Sequence, residues 1–388
     1  MAPGTPRTTA VARLRLAAQG LLRGVPPATL DAPATTPQQV VAALGMMQAQ
    51  DLPQVCWAVG VRLPGAGLSD IHAALTDGSV IRCWGARGTL MLIDPALHGR
   101  LMSVTAPRMN AKMAATRAQE DITAPEIARL AEVARERCAG AGATRTELLD
   151  AFAASGSSIA GQRGYHLIVA ASLHGGIVQG PMEPGSETRQ LFMAAGSWIR
   201  AGAEVPDARR ALKLLVRTYF ESHGPATVAD CAWWLGIPLT PVRAAVADLA
   251  GVLGSRELGG VAHHFAAAHA KRWEHPPGAR SVLALPGFDE FVLGYKDRSA
   301  TLPQEHVQAV TPGKNGIFLR TVAAGGQTVG TWELAATGKQ RRGRFVPFGA
   351  GEGTGPAAGP ARGSGEGSPA RAAQVAARIE AYLEFRSS

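Results

Sequence analysis

The sequence contains few cysteines, and their spacing excludes the usual metal and disulfide frameworks. Cys56, Cys83, Cys138 and Cys231 lie far apart and form no Cys-x-x-Cys pair, so neither a zinc site nor a disulfide framework is expected. The 10 histidines show neither the His-x-x-x-His nor the His-Glu-x-x-His spacing of metal-binding helices. We therefore expect no bound metal and no cofactor.

Long apolar runs are also missing. No stretch approaches the ~20 apolar residues that cross a bilayer, and residues 1–10 are polar, unlike a signal peptide. We therefore expect a cytoplasmic, nucleoid-associated protein without a membrane partner. Lys and Arg number 39 against 30 Asp and Glu, which gives a formal charge of +9. This excess favours a polyanionic partner such as nucleic acid.

The 388 residues allow two or three compact units, and a hydrophobic fraction of 46% allows sizeable cores. A pattern of helix, capped helix, further helix and hairpin occurs three times along the chain. It predicts an α+β fold of tandem winged-helix units followed by a β-containing C-terminal domain. The predicted parts are a flexible N-terminus (1–10), three winged helices (11–119, 120–205 and 206–280), a β-rich domain (281–348), a flexible linker (349–370) and a C-terminal helix (371–388).

The first copy shows how these elements are recognised. Thr36 and Gln39 predict a capping box that opens a helix over residues 40–47. Residues 80–84 and 89–93 predict two strands around a glycine-containing turn, and we interpret this hairpin as a wing. A winged helix places one helix in the DNA major groove and its wing on the backbone.

The second and third copies repeat the pattern and add candidate DNA contacts. Thr144 and Thr227 predict the capped helices of these copies. The helices that follow carry Arg163 and Arg243, which we predict to bind DNA.

Basic residues concentrate near the end of the β-rich domain. Lys339, Arg341, Arg342 and Arg344 fall within six positions, where they can neutralise phosphates. A second run, over residues 95–119, contains no acidic residue. Its basic residues are Arg100, Arg108, Lys112 and Arg117.

Several short motifs are spread along the chain. They are Gln48-Ala49-Gln50, Arg87-Gly88-Thr89-Leu90, Ala232-Trp233-Trp234-Leu235-Gly236, Leu285-Pro286-Gly287-Phe288-Asp289-Glu290, Gly294-Tyr295-Lys296-Asp297-Arg298, Asn315-Gly316-Ile317-Phe318 and Val329-Gly330-Thr331-Trp332. Together they resemble the motifs of the winged-helix DNA glycosylases of the AlkZ/YcaQ type, which carry a Gln-aliphatic-Gln or Gln-aliphatic-Asp motif in the first winged helix. The resemblance covers residues 11–348.

The resemblance implies a monofunctional DNA glycosylase that hydrolyses the N-glycosidic bond of alkylated, cationic purines in double-stranded DNA. It implies a monomer, and it leaves bulky adducts and interstrand crosslinks open as substrates. Gln48 and Gln50 are the implied catalytic residues, and Arg87 joins the predicted DNA contacts. Two departures are Met91, where the family usually has His, and the small Ala49. The alternative function is a non-catalytic winged-helix DNA-binding protein or transcriptional regulator.

The chemistry of amides limits what Gln48 and Gln50 can do. A primary amide is no general base near neutral pH, but it can hold a water by hydrogen bonds. Two helical residues at i and i+2 lie about 200° apart, so the amides converge only if the chain leaves helical geometry here. Pro53 favours such a departure, and Asp51 is the nearby carboxylate that could act as a base.

Two further pairs of residues are interpreted structurally. Asp289 and Glu290 are expected to pair with Lys296 or Arg298 rather than to form an acid–base site. Trp233-Trp234 is expected to contribute to the core and to an interface.

Binding to DNA should weaken steeply with salt, because phosphate contacts release counterions. Replacement of Arg341, Arg342 and Arg344 by Ala should flatten the log–log salt dependence by about 0.9 for each phosphate that is no longer neutralised. Titration of a labelled duplex at several salt concentrations measures this slope. An unchanged slope would move the binding face elsewhere, for instance to residues 100–117.

Overall fold

The computed structural model describes residues 6–199, 207–313, 316–337, 340–349 and 369–388. Most of the predicted linker at 349–370 therefore lies outside the described residues. Residues 6–10, predicted as part of a flexible N-terminus, instead belong to the first helix. In the described ranges, no helix combines the length and the apolar character needed to cross a bilayer.

The first copy alternates short helices and strands. Its elements are α1 (Pro6–Ala18), α2 (Pro37–Leu44), β1 (Met46–Gln48), α3 (Leu52–Gly60), α4 (Leu68–Thr76), β2 (Ile81–Trp84), β3 (Leu90–Ile93) and the long α5 (His98–Gln119). Thr36 caps α2 by accepting a hydrogen bond from the Gln39 N–H, as predicted. The Gln39 side chain accepts from Thr35 rather than from Thr36.

Helix α2 is shorter than predicted. It ends at Leu44 instead of residue 47, because Gly45 adopts a φ of 80°, which favours glycine and ends helices. The chain then enters β1, where Met46–Gln48 pairs with residues 91–93 of β3. The Gln-Ala-Gln motif therefore lies at the end of a strand and not at the end of a helix.

The second copy completes a sheet that the first copy begins. Its elements are α6 (Ala124–Arg137), α7 (Arg145–Ala154), α8 (Arg163–Leu173), β4 (Ile177–Met182), β5 (Gln190–Ala194) and α9 (Ala195–Trp198). The predicted capping box at Thr144 is confirmed. Strand β4 pairs with β2, which gives an antiparallel sheet in the order β1-β3-β2-β4-β5.

The first hairpin does not project as a wing, contrary to the prediction. Strands β2 and β3 occupy the inner positions of the five-stranded sheet, and every residue of both strands is buried. Apart from Arg82, the side chains on both faces of this hairpin are apolar, so neither face favours solvent.

The third copy follows the predicted order. Its elements are α10 (Ala208–His223), α11 (Val228–Leu235), α12 (Leu239–Ala247), β6 (Leu253–Leu258) and β7 (Val261–Ala266). The capping box at Thr227 is confirmed. Strands β6 and β7 form a separate two-stranded sheet, and Gly259 and Gly260 turn it with positive φ angles.

The C-terminal part contains a second larger sheet. Its elements are β8 (Val282–Leu285), α13 (Glu290–Leu293), α14 (Val307–Val310), β9 (Thr321–Ala324), β10 (Gln327–Thr337) and β11 (Gln340–Pro347). The strands are antiparallel in the order β11-β10-β9-β8. From sequence, Gly325-Gly326 is a typical hairpin turn, and it joins β9 to β10. The sequence of residues 316–322 favours a strand, but the strand begins only at Thr321. The sequence pattern did not predict strand β11, because its basic residues hide the alternation of a strand.

The last helix, α15 (Pro369–Ser387), closes the fold by packing on this sheet and on α3 and α4. Tyr382 lies between two tryptophan rings, 5.3 Å from Trp57 and 5.1 Å from Trp332. Phe385 adds a third ring pair, 5.2 Å from Trp57. This aromatic cluster joins the first copy, the C-terminal sheet and the end of the chain in one core.

We expect Ile379→Ala to lower the free energy of unfolding by about 2–5 kcal/mol, because Ile379 is 3% exposed and packs in this core. Glu380→Ala on the exposed side of α15 is the matched control and should stay within about 0.5 kcal/mol. Urea denaturation measures both values. Equal stabilities of the two variants would show that α15 is not part of the cooperative fold.

Candidate active site

The two glutamines of the motif lie on one side of an extended segment. Strand β1 ends at Gln48, and the Ala49 N–H still donates to the Leu90 carbonyl of β3, 2.8 Å away. Side chains alternate along an extended chain. Ala49 is accordingly buried in the core, whereas Gln48 is half-buried and Gln50 is exposed. The departure from helical geometry that the two amides need in order to converge is therefore present.

Hydrogen bonds fix which atom of each amide faces the protein. Arg87 Nη2 lies 3.0 Å from Gln48 Oε1, and the Leu90 N–H donates to Gln50 Oε1 over 3.3 Å. A guanidinium and a backbone N–H can only donate, so the acceptor atoms must be the amide oxygens. Each oxygen has a second lone pair, and each amide has an NH2 group that donates. Such a pair can hold a water molecule and orient it.

Two buried charged side chains hold the main chain of the motif. Glu290 Oε1 accepts a hydrogen bond from the Gln48 N–H at 3.0 Å. Arg82 donates to the carbonyls of Ala49 at 2.7 Å and Gln50 at 3.2 Å. Glu290 is 1% exposed and Arg82 is 7% exposed. The motif is thus fixed at both of its ends by groups that water barely reaches.

Arg82 also connects the motif to the second copy. Its Nη1 donates to the side-chain oxygens of Gln179, at 2.8 Å, and Gln190, at 3.2 Å. Gln179 is the residue of β4 that pairs with Arg82 of β2. Burial lowers the pKa of the Arg82 guanidinium to about 10, so it remains charged at neutral pH.

Arginines and aromatic rings alternate beside Gln48. The Arg87 guanidinium lies 4.6 Å from the centre of the Trp233 ring, and that of Arg298 lies 5.2 Å from the same ring. Arg298 is also 5.1 Å from the Phe318 ring. Cation–π attraction holds such rows together. Trp234 is fully buried in the core, as predicted, and Trp233 is half-buried. The predicted role of Trp233 in an interface stays a prediction.

The predicted partners of Asp289 and Glu290 are wrong. Asp289 forms a bidentate ion pair with Arg62, at 2.7 and 2.9 Å, and does not use Lys296 or Arg298. The two acids are not on a strand, because Asp289 caps the one-turn helix α13, of which Glu290 is the first residue. Both side chains fold inward as a result.

The second oxygen of Glu290 lies among aromatic residues. Glu290 Oε2 accepts from the Trp234 indole N–H at 3.1 Å and lies 3.4 Å from His223 Nε2. Burial alone would raise the pKa of the Glu290 carboxyl, but the contact with His223, the positive charge of Arg87 and the Gln48 N–H together lower it. Burial lowers the pKa of the His223 imidazole. At neutral pH, Glu290 is therefore ionised and His223 is neutral.

Met91 and Asp51 lie on either side of the motif. Met91 pairs directly with Gln48 across β1 and β3 and is fully buried. Asp51 caps α3 by accepting a hydrogen bond from the Gln54 N–H at 3.2 Å. Asp51 was expected to be the carboxylate close to the motif, but Glu290 contacts the motif directly.

The predicted DNA-binding arginines occupy different environments. Arg87 is turned toward Gln48 and also donates to the Trp234 carbonyl at 2.7 Å. Arg163 makes an ion pair with Glu126 at 2.7 Å and is largely buried. Arg243 is exposed on α12. That these residues contact DNA stays a prediction.

The basic cluster near the end of the C-terminal sheet lies on β11. Arg342 and Arg344 are exposed, and Arg344 pairs with Glu333 of β10 at 2.9 Å. Gly343 between them faces Ile379 of α15, so the two arginines project from the opposite face of the strand. Lys339 and the side chain of Arg341 lie outside the described residues. A DNA-binding role for this cluster also stays a prediction.

Sequence reasoning assigned Glu290 a structural pairing only, and it missed His223 and Arg82. Two of them stand out in retrospect as charges inside apolar runs, since Arg82 interrupts the buried strand β2 and Glu290 precedes three buried apolar residues. A charge at such a position must find buried partners or shift its pKa. His223 gave no comparable local signal.

Fold and site together define a helix-rich α+β protein whose accessible site is a pair of glutamine amides held by a buried carboxylate and a buried guanidinium. Within the described residues, no group of three His, Cys, Asp or Glu side chains is arranged to hold a metal ion. The family model of the AlkZ-like DNA glycosylases matches residues 41–385. The chain belongs to this family.

The sequence and structure comparisons both point to Streptomyces sahachiroi. An interstrand DNA cross-link repair glycosylase is 25% identical over 315 residues, which cover 78% of this chain and 84% of that protein. The solved structure of the DNA glycosylase AlkZ superposes with a TM-score of 0.76 at 21% identity, over 96% of this chain and 97% of that chain. The second comparison establishes that the two proteins share a fold.

The free energy of unfolding should fall on acidification. His223 has a lowered pKa in the fold, so below about pH 6.5 the unfolded chain binds a proton that the folded chain does not. The stabilisation linked to the lowered pKa of Glu290 is lost later, as the pH falls below about 4.3 and through the pKa in the fold.

Between about pH 7 and about pH 5, stability of the wild type should therefore fall more steeply than that of His223→Gln. The difference approaches about 1.4 kcal/mol per pH unit for one proton. The urea midpoints of both proteins across this pH range measure the difference. A comparison at about pH 8, where His223 is neutral in both the folded and the unfolded chain, gives the loss of stability that the substitution causes independently of pH. Parallel curves would contradict a neutral, buried His223.

Proposed function

We propose that this protein is a monofunctional DNA glycosylase that removes alkylated, cationic purines from duplex DNA. The accessible Gln48–Gln50 pair, with both amide oxygens oriented by N–H donors, is the observation that carries the proposal. Membership of the AlkZ-like family gives the reaction class. The relative from Streptomyces sahachiroi is named for repair of interstrand crosslinks, so we include purine crosslinks among the substrates.

In the proposed reaction, Gln48 and Gln50 hold a water against C1′ of the damaged nucleotide. The bond from C1′ to the purine nitrogen breaks, and its electron pair goes to the purine. The water oxygen forms the new bond to C1′ and loses a proton to solvent. Positioning is the main contribution of the amides, because they cannot take the proton themselves.

The proposed mechanism requires a substrate whose base is already a good leaving group. An N3- or N7-alkylated purine is cationic, so the departing base becomes neutral by accepting the bonding electrons. An unmodified base or uracil would depart as an anion, which needs an acid, a metal or hydrogen-bond donors placed against the leaving group. In the proposed site the amides face the water rather than the departing base, which favours alkylated purines because their base leaves as a neutral molecule.

For DNA engagement, we propose that the third copy acts as a winged helix. The third copy has the helices and the separate hairpin of such a unit, with Arg243 exposed on α12. Arg342 and Arg344 on the exposed face of β11 add positive charge. Phosphate contacts of this kind fix the position of a protein on DNA without reading its sequence, as a repair enzyme requires.

We expect Gln48→Ala and Gln50→Ala each to lower excision of N7-alkylguanine by about 10²-fold or more, the scale of loss of a positioned catalytic group. Affinity for the duplex should change little, because the phosphate contacts remain. Chromatographic detection of the released base under single-turnover conditions measures the rate.

Gln38→Ala provides the matched control, since Gln38 is an exposed glutamine of α2 that bonds to Asp94. It should keep the wild-type rate. Efficient release of uracil, or full activity of the Gln48→Ala/Gln50→Ala double variant, would contradict the mechanism. Tight binding with no release of any alkylated base would instead favour a DNA-binding regulator.

A further inference from the structure

Glu290 is a buried carboxylate at the back of the motif. Its two oxygens accept hydrogen bonds from the Gln48 N–H at 3.0 Å and the Trp234 indole at 3.1 Å, and His223 completes its surroundings. Burial of an ionised carboxylate is costly unless it is paired and hydrogen-bonded. The indole and the backbone N–H carry no net charge, and burial lowers the pKa of the His223 imidazole, which disfavours a charge there.

Arg87 contributes positive charge next to this carboxylate, because its guanidinium binds the Gln48 side chain while Glu290 binds the Gln48 N–H. Arg87 and Glu290 interact electrostatically, and Arg87 is the group that orients the Gln48 amide. A guanidinium beside the amide has a disadvantage in the proposed reaction, because the sugar becomes positively charged as the base departs. Two like charges in a site of low dielectric repel more strongly than in water.

We infer that Glu290 is a positioning residue of the reaction, which holds the Gln48 end of β1 and balances Arg87 so that the sugar cation can form beside it. This inference rests on the proposed glycosylase function. It adds a buried negative charge, which never touches the substrate, to the two amides that do. Electrostatic preorganisation of this kind is a large contribution to catalysis in many enzymes.

Asp289 allows a separation of this role from a structural one. It is the neighbour of Glu290 in sequence and is also buried, at 3% exposed. Its partner is the Arg62 guanidinium, at 2.7 Å, and its hydrogen bonds are with Arg62 and α13 rather than with Gln48 or Gln50. Asp289→Asn therefore removes a buried carboxylate from the same turn without touching the motif.

The test compares Glu290→Gln, Glu290→Asp and Asp289→Asn with the wild type, by single-turnover excision of N7-alkylguanine and by duplex affinity. Glu290→Gln keeps the shape and loses the charge, and Glu290→Asp keeps the charge and withdraws it from Gln48. We expect Glu290→Gln to lower the rate by about 10²-fold, a loss typical of disturbed geometry at a reacting centre. Glu290→Asp should lose about 10-fold, and duplex affinity should stay unchanged in both.

Asp289→Asn should lower the melting temperature, because it weakens a buried ion pair. The excision rate of the folded variant should stay within about 2-fold of the wild type, because this residue contributes to stability and not to the reaction. A wild-type rate in Glu290→Gln would overturn the inference. Higher activity in Glu290→Gln than in Glu290→Asp would also overturn it, since only the shape would then matter. Should Glu290→Gln not fold, an unchanged rate in Glu290→Asp is the overturning result. Absence of excision by the wild type would instead refute the proposed function.

Discussion

The site depends on the pairing of β1 with β3. Met46–Gln48 is only three residues long, yet the Ala49 N–H continues the ladder to the Leu90 carbonyl. This extended geometry puts Ala49 in the core and both glutamines on the accessible side. The turn between β2 and β3 then brings Arg87 to the Gln48 amide. A continued helix would have separated the two amides.

Charge is distributed around the motif so that each ionised group has a defined task. Glu290 receives the Gln48 N–H, Arg82 donates to the carbonyls of Ala49 and Gln50, and Arg87 orients the Gln48 side chain. All three are removed from bulk water to a large extent, where their interactions are strong. In the proposed mechanism, the amides therefore need little rearrangement when a nucleotide enters.

The site lies where distant parts of the chain meet. Glu290 belongs to the C-terminal part, Trp234 and His223 to the third copy, and the motif to the first copy. The aromatic cluster of Trp57, Trp332 and Tyr382 joins the first copy to the C-terminal sheet on another side. Helix α15 thus supports the fold around the site from a distance, through the core that it completes.

Much of the local structure is readable from sequence. Thr144 and Thr227 predicted the capping boxes, and Gly325-Gly326 predicted the turn of the β9–β10 hairpin, because caps and turns depend on residues a few positions apart. The motifs that identified the family are equally local. The helix predicted over residues 40–47 failed at Gly45, where a single backbone angle outweighed the helical pattern.

Only the tertiary structure decided which groups hold the motif. Glu290 and Gln48 are 242 positions apart, and Arg82 meets Gln179 only because strands of two copies join in one sheet. The burial that leaves Glu290 ionised and His223 neutral comes from side chains of several elements packed together. Sequence therefore determined the helices, the turns and the pair of amides, whereas packing determined the charges behind them, since long-range contacts and burial have no short-range pattern.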